Sequence, residues 1–212
     1  TSFSPCPSGF VLASDNCLLT LFSGSGSDQL RQISVPSGAF HVSSSPDGTY
    51  LVAADRAARA VTLLPADTEE QVPFSVGHHS GPISGLDACE CLPLVVSCSL
   101  VDQSVAVWNY AYGKCEATAQ FIDPVLAVAI HPLGYELLVA QPQRLLLCRI
   151  QFEEGLVTRQ KYSLRRPSTL KFSHSGHLVA VVYAVKSVAL FTTVPHLTLV
   201  ARLEGHRLPV SG

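Results

Sequence analysis

His79, Ser99 and Asp102 are the three residue types of a nucleophilic hydrolase site, and Trp108 follows a short way downstream. In such a site the imidazole takes the hydroxyl proton while the carboxylate orients the ring. The same side chains have a second use: buried together, they can satisfy the indole N–H, the hydroxyl and the imidazole by bonding to one another. Cys89-Glu90-Cys91 offers two soft ligands, but the spacing is not Cys-x-x-Cys and no second cysteine or histidine pair follows at zinc spacing, so no metal is expected. Arg165-Arg166-Pro167-Ser168 fits the substrate pattern of a basophilic kinase, which makes Ser168 a candidate for phosphorylation; the competing reading is a solvated loop. The glycine-serine run Gly24-Ser25-Gly26-Ser27 lacks the strand-to-helix setting of a phosphate cradle.

The elements that must position these residues are strands. The chain has 212 residues, is 47% hydrophobic and only 14% charged, and is thus rich enough for one domain with a large core. No apolar run approaches the ~18 residues of a spanning helix, so no membrane crossing is expected. Fourteen Lys and Arg against 16 Asp and Glu leave no general basic surface, which argues against a nucleic-acid partner. The seven cysteines, an odd and scattered set, read as small buried hydrophobes of a reducing compartment. No cofactor is implied.

A repeat orders the chain. His79-Ser80-Gly81-Pro82-Ile83-Ser84-Gly85 recurs as His206-Arg207-Leu208-Pro209-Val210-Ser211-Gly212, 127 residues later, which is three periods of about 42. Turns at Pro7-Ser8-Gly9, Pro46-Asp47-Gly48, Pro132-Leu133-Gly134 and His174-Ser175-Gly176 follow the same beat, with Cys91-Leu92-Pro93 filling the gap without a glycine. Each turn precedes an apolar strand, a polar break and a second strand: Val11–Ser14 then Leu18–Phe22, Leu51–Ala54 then Ala60–Leu64, Leu94–Ser99 then Ser104–Trp108, Leu137–Ala140 then Leu145–Ile150, Leu178–Tyr183 then Ser187–Phe191. Several are unbroken Val, Leu and Ala, as expected of strands covered on both faces. Ser23–Asp28 and Ala66–Glu70 read as loops, and no segment has helical periodicity with a cap.

A period of about 42 with two or more strands per unit is that of a four-stranded propeller blade. The fold expected is all-β: a WD-repeat β-propeller with five blades over residues 1–36, 37–79, 80–122, 123–165 and 166–206, the next beginning at 207–212. Such propellers close at about seven blades, so the chain is expected to be part of a longer polypeptide or to have its ring completed by another segment. The order of residues in the third blade resembles a WD repeat, and that resemblance implies a structural tetrad of His79, Ser99, Asp102 and Trp108 in place of a nucleophilic site. The usual spacing has one residue fewer between the serine and the aspartate, which makes Val101 an extra residue in the turn. His206 is the corresponding histidine of the next blade. In the other blades Arg144 and Lys186 stand near the aspartate's place and Leu64, Arg149 or Phe191 near the tryptophan's, so apolar packing is expected to hold them.

The stretch Pro82–Glu116, in particular Gly85-Leu86-Asp87, Cys98-Ser99-Leu100 and Trp108-Asn109-Tyr110, resembles the cilia- and flagella-associated protein 57 family, as do Ile130–Gly134, Leu170–Leu178 and Leu203–His206. The likeness runs from about Ser75 onward. It implies a non-catalytic scaffold of the ciliary or flagellar axoneme, docking or regulating inner-arm dyneins on doublet microtubules. Its implied partners are inner-arm dynein subunits, other axonemal regulatory proteins and a paralogous coiled-coil WD-repeat protein; no catalytic residue comes with it. The alternative is a soluble WD-repeat adaptor in ubiquitin ligation, trafficking or chromatin. A propeller enzyme ranks last, because the strands offer mostly Val, Leu, Ala, Ser and Thr in place of converging carboxylates or histidines. Trp108, Tyr110 and Tyr112 form an aromatic cluster, with the two tyrosines on one side if the strand continues.

Overall fold

Leu94–Ser99 and Glu136–Gln141 are buried at every one of their six positions. A strand can achieve this only if another layer covers each of its faces. The computed structural model supplies those layers; it describes residues 2–6, 9–14, 18–24, 28–34, 39–45, 48–55, 61–65, 72–73, 79–152, 154–206 and 208–210. Among them the secondary structure is all β, with no helix and therefore none long and apolar enough to cross a membrane.

Among the described residues twenty strands form five antiparallel sheets, each of four strands consecutive in sequence. The first sheet holds β1 (Ser2–Cys6), β2 (Gly9–Ala13), β3 (Leu18–Ser23) and β4 (Gln29–Ser34). The second holds β5 (Ala39–Ser44), β6 (Tyr50–Asp55), β7 (Val61–Pro65) and β8 (Val72–Pro73). The third holds β9 (Ile83–Ala88), β10 (Leu94–Ser99), β11 (Ser104–Asn109) and β12 (Lys114–Gln120). The fourth holds β13 (Ala127–Ile130), β14 (Glu136–Gln141), β15 (Arg144–Gln151) and β16 (Gly155–Ser163). The fifth holds β17 (Pro167–Phe172), β18 (Leu178–Tyr183), β19 (Ser187–Thr192) and β20 (Thr198–Leu203). The expected paired strands fall on the second and third strands of these sheets, with ends agreeing to within two residues. Of the expected turns and loops, Pro7-Ser8, Pro46-Asp47, Ser25-Gly26-Ser27, Ala60 and Ala66–Glu70 lie outside the described residues, as does Arg207 beside His206.

Period-two alternation explains how one strand serves two cores. On β10, Val95 joins Val52, Ala54 and Trp108 on the side of the second sheet, while Val96 joins Ile130, Leu137 and Val139 on the side of the fourth. On β14 the parity continues, since Leu137 and Val139 face the third sheet while Leu138 and Ala140 pack with Val179, Val181 and Phe191 of the fifth. Val11, Leu19 and Leu21 meet Val42, Leu51 and Ala53 in the same manner. Consecutive sheets thus pack face to face, and the first strands lie side by side along one edge: β1 by β5, β5 by β9, β9 by β13, β13 by β17. The fourth strands lie at the other edge, and β4, β16 and β20 are largely exposed.

One irregularity recurs. The pairing of third with fourth strand slips by one residue at Leu21/Phe22, Val107/Trp108, Leu147/Cys148 and Leu190/Phe191. Each is a β-bulge, which increases the local twist and leaves one residue of the fourth strand unpaired.

Turns between first and second strands follow the glycine beat. Gly134 and Gly176 have φ of 76° and 74°, and their amides bond back to the carbonyls of His131 and Ser173 at 2.8 and 2.9 Å. His131 is buried in this region between the rings of Tyr135 and Phe172, and its Nδ1 accepts the Leu133 amide at 3.2 Å. Burial pulls the imidazole pKa down, against an upward pull from Glu136 and the Gly176 backbone. A lowered folded pKa means that the unfolded chain protonates first as pH falls below about 6.5, so stability is lost on acidification through that range. We expect the fall in urea midpoint between about pH 7.5 and pH 5.5 to be smaller in His131→Gln than in the wild type; equal falls would show that His131 carries none of it.

Candidate functional site

The residues picked out around His79 converge, but not as the spacing implied. The Trp108 indole donates to Ser97 Oγ at 2.8 Å, and Ser97 Oγ lies 2.8 Å from His79 Nε2. On the other side of the ring, His79 Nδ1 is 2.6 Å from Ser104 Oγ, and the Ser104 hydroxyl donates to Asp102 Oδ1 at 2.7 Å. With the proton on Nδ1, every donor points the same way, from indole to Ser97, to imidazole, to Ser104, to carboxylate; we assign that tautomer from the network. Asp102 ends the chain and also accepts the Ser80 amide at 2.7 Å through Oδ2, tying the segment before β9 to the β10–β11 turn.

Ser99, the serine expected in this chain, is a correction. Its hydroxyl is fully buried beside the Asp102 carboxylate, whose pKa it helps to hold down, and no hydrogen bond joins it to the His79 ring or the Trp108 indole. The cross-strand register decides between the two serines: Val95 pairs with Trp108 and Ser99 with Ser104, so Ser97 is the diagonal neighbour of the indole and Ser99 lies a pair further off. Ser104, not singled out by the sequence, stands between His79 and Asp102, whose nearest atoms are 3.7 Å apart. The extra turn residue is absorbed locally: Val101 points into solvent, Gln103 takes a φ of 59°, and Asp102 still reaches Ser80. Burial pushes the Asp102 carboxyl up, but the Ser104 hydroxyl, the Ser80 amide, the Ser99 hydroxyl and the nearby imidazole outweigh it and hold the pKa below its ordinary value.

This is not the arrangement of a nucleophile. A catalytic serine must meet its substrate and lend its proton, whereas Ser97 is 0% exposed and its oxygen is occupied by both the indole and the imidazole. The chain instead holds the first three strands of the third sheet to the segment that precedes them.

The fourth sheet, expected to rely on apolar packing more than on polar bonds, has its own polar tie. Asp123 stands four residues before β13, as His79 stands four before β9. Its carboxylate pairs with Arg144, whose Nε donates to Gln141 Oε1 at 2.8 Å, and Gln141 Nε2 returns to the Asp123 carbonyl at 3.1 Å. The turn residue changes sign between the two sheets, from the Asp102 carboxylate to the Arg144 guanidinium, and the Asp123 carboxylate stands where the third sheet has the neutral His79 ring.

The remaining candidates separate. Cys89 is buried and donates to the Pro132 carbonyl at 2.9 Å, while Cys91 is exposed; among the described residues no three His, Cys, Asp or Glu side chains gather around a point. Burial drives the Cys98 thiol to about 12 and that of Cys148 to about 11. Native chain treated briefly with a maleimide is therefore expected to be modified at Cys91 and not at Cys98 or Cys148, read by peptide mass mapping; early label on Cys98 would contradict this packing. β11 ends at Asn109, whose Oδ1 accepts the Ala111 amide at 3.1 Å, so the strand does not continue through the tyrosines. Tyr110 turns in against Tyr50, and Tyr112 stays exposed. Ser168 is exposed on β17, not in a loop, with its hydroxyl 3.4 Å from the Val182 carbonyl. His206 is exposed after β20.

Five four-stranded sheets stacked on shared cores, one of them locked by a buried hydrogen-bonded chain, define an all-β repeat protein whose polar cluster serves shape. No protein-family model matches the chain. It is similar to cilia- and flagella-associated protein 57 A of Tetrahymena thermophila, 36% identical over 109 residues, which are 51% of this chain and 8% of that protein. It is also similar to mouse cilia- and flagella-associated protein 57, 34% identical over 128 residues, 60% of this chain and 10% of that protein. A third relative, cilia- and flagella-associated protein 57 C of Tetrahymena thermophila, is 24% identical over 116 residues. The resemblance read from the sequence is thus met by curated relatives bearing that name, each matched over about a tenth of its length.

Proposed function

We propose that this chain is a non-catalytic docking module of the cilium or flagellum: a WD-repeat β-propeller segment that holds or regulates inner-arm dyneins on the doublet microtubules of the axoneme through protein–protein contacts. The observation that carries the reading is the likeness to cilia- and flagella-associated protein 57 in both a ciliate and a mouse, at 36% and 34% identity over about half of the chain. The sheets support the propeller half of it. Units of four strands with the same bulge in each of four outer pairs, first strands side by side and cores shared between neighbours are what stacked blades require. On this reading the blades span 1–36, 37–79, 80–122, 123–165 and 166–206.

The non-catalytic reading is supported by the Ser/His/Asp cluster around His79, whose hydroxyls and ring nitrogens are consumed by one another. A body whose buried His79 cluster is bonded within itself is suited to carry binding surfaces at its exposed edges. The test is tagging the protein in ciliated cells and demembranating the cilia. The tagged protein is expected to stay with the axoneme in detergent and to leave with the inner arms in high salt; release into the detergent-soluble fraction would overturn the axonemal assignment.

A further inference from the structure

The bulge that recurs between third and fourth strands leaves one residue unpaired in each of four sheets. In the first, third and fifth sheets that residue is Leu30, Glu116 and Val200; in the fourth it is Arg159. Because a bulge breaks the alternation of the strand, Arg159 and its neighbour Gln160 both line one cleft, where a regular strand would send them to opposite sides. The cleft, about 290 Å³, lies between the fourth sheet and the segment joining β19 to β20.

Its floor is acidic and its walls are basic. Glu136, paired across the strands with Arg149, is only 7% exposed, and its Oε1 sits 3.1 Å from Arg159 Nη1 and 3.9 Å from Arg149 Nη2. One carboxylate oxygen thus faces two guanidiniums. Each guanidinium carries five donors and is half exposed, so the pair keeps a net charge of +1 and unused donors toward the cleft. The far wall is fixed, because Gln160 clamps Leu197 by both its amide and its carbonyl, at 2.7 and 3.1 Å. Nothing in the repeat requires two arginines over a buried glutamate, since the equivalent bulges hold their sheets with a leucine, a glutamate or a valine.

We propose that this cleft is a docking site for an acidic segment of a protein partner, whose Asp or Glu carboxylate inserts between Arg149 and Arg159. Guanidinium forks match a carboxylate in two-toothed geometry, the volume admits a side chain or two and no folded element, and Leu147 and Pro195 supply an apolar lining for the stem. The site rests on the docking reading above only in taking a protein as its occupant.

The experiment is fluorescence anisotropy of fluorescein-labelled octaglutamate titrated with the full chain. Saturable binding is expected to weaken about fivefold or more in Arg159→Ala and in Arg149→Ala, and to be unchanged in Arg202→Ala, an exposed arginine of β20 away from the cleft. Glu136→Gln, which removes the competing carboxylate, is expected to tighten binding, an effect of opposite sign to any folding defect. No saturable binding, an equal loss in Arg202→Ala, weaker binding in Glu136→Gln, or displacement by inorganic phosphate but not by glutamate would each overturn the carboxylate site. The assay contains no axonemal protein, so its failure is distinct from a failure of the ciliary assignment.

Discussion

Ser97→Ala is expected to cost the folded chain about 3 kcal/mol, and Ser99→Ala, two residues on in the same strand, to leave stability within about 0.5 kcal/mol. The asymmetry comes from who is orphaned. Loss of the Ser97 hydroxyl strips the Trp108 indole and His79 Nε2 of their shared partner in a site where both side chains are under 5% exposed. Each buried polar group left without a bond costs about 1–3 kcal/mol. Ser99 is as deeply buried, but its hydroxyl bears only on the Asp102 carboxylate, which keeps the Ser104 hydroxyl and the Ser80 amide when Ser99 is removed, so no buried group is orphaned. Urea denaturation of the two variants beside the wild type reads the difference. Equal destabilisation, or a larger loss in Ser99→Ala, would mean that the hydrogen-bonded chain runs through Ser99.

Gly176→Ala should be of similar severity, about 3 kcal/mol, although it adds a single methyl group to a turn. The φ of 74° is a conformation that costs a side-chain-bearing residue about 1 kcal/mol or more. The methyl would also stand 2.2 Å from Nε2 of His131, and that ring cannot swing away. Leu133 holds its Nδ1, and Tyr135 and Phe172 pack on it with centroids 4.7 and 5.4 Å distant. Forcing a core aside costs about 1–3 kcal/mol more. The control is Gly24→Ala, where an added methyl meets nothing within 4 Å, and whose urea midpoint is expected to match the wild type. A Gly176→Ala midpoint that also matched would show that His131 is free to move.

Much of this architecture is legible in the sequence because β-structure writes its own punctuation. Unbroken apolar runs such as Leu94–Ser99 and Leu137–Ala140 require cover on both faces, and the glycines at 134 and 176 mark turns that need positive φ. What the sequence leaves open is whatever depends on register between strands. Ser97 and Ser99 share a face and differ only in which pair they occupy opposite Trp108, a fact of cross-strand alignment and not of spacing. The Asp123, Gln141 and Arg144 tie escapes notice because it places opposite charges at the positions a template would search. Arg159 is hidden for a third reason: a bulge changes the parity of its strand, so that alternation assigns it the wrong face. Tyr110 and Tyr112 part because Asn109 ends the strand with its own side chain.

The proposed docking role in the axoneme is tested by chemical crosslinking of intact cilia followed by mass spectrometry of the crosslinked peptides. Crosslinks from this chain to inner-arm dynein subunits or their doublet-microtubule neighbours are expected, with partner peptides rich in Asp and Glu near Lys161. Crosslinks confined to ubiquitin-ligase, vesicle or chromatin proteins would contradict it.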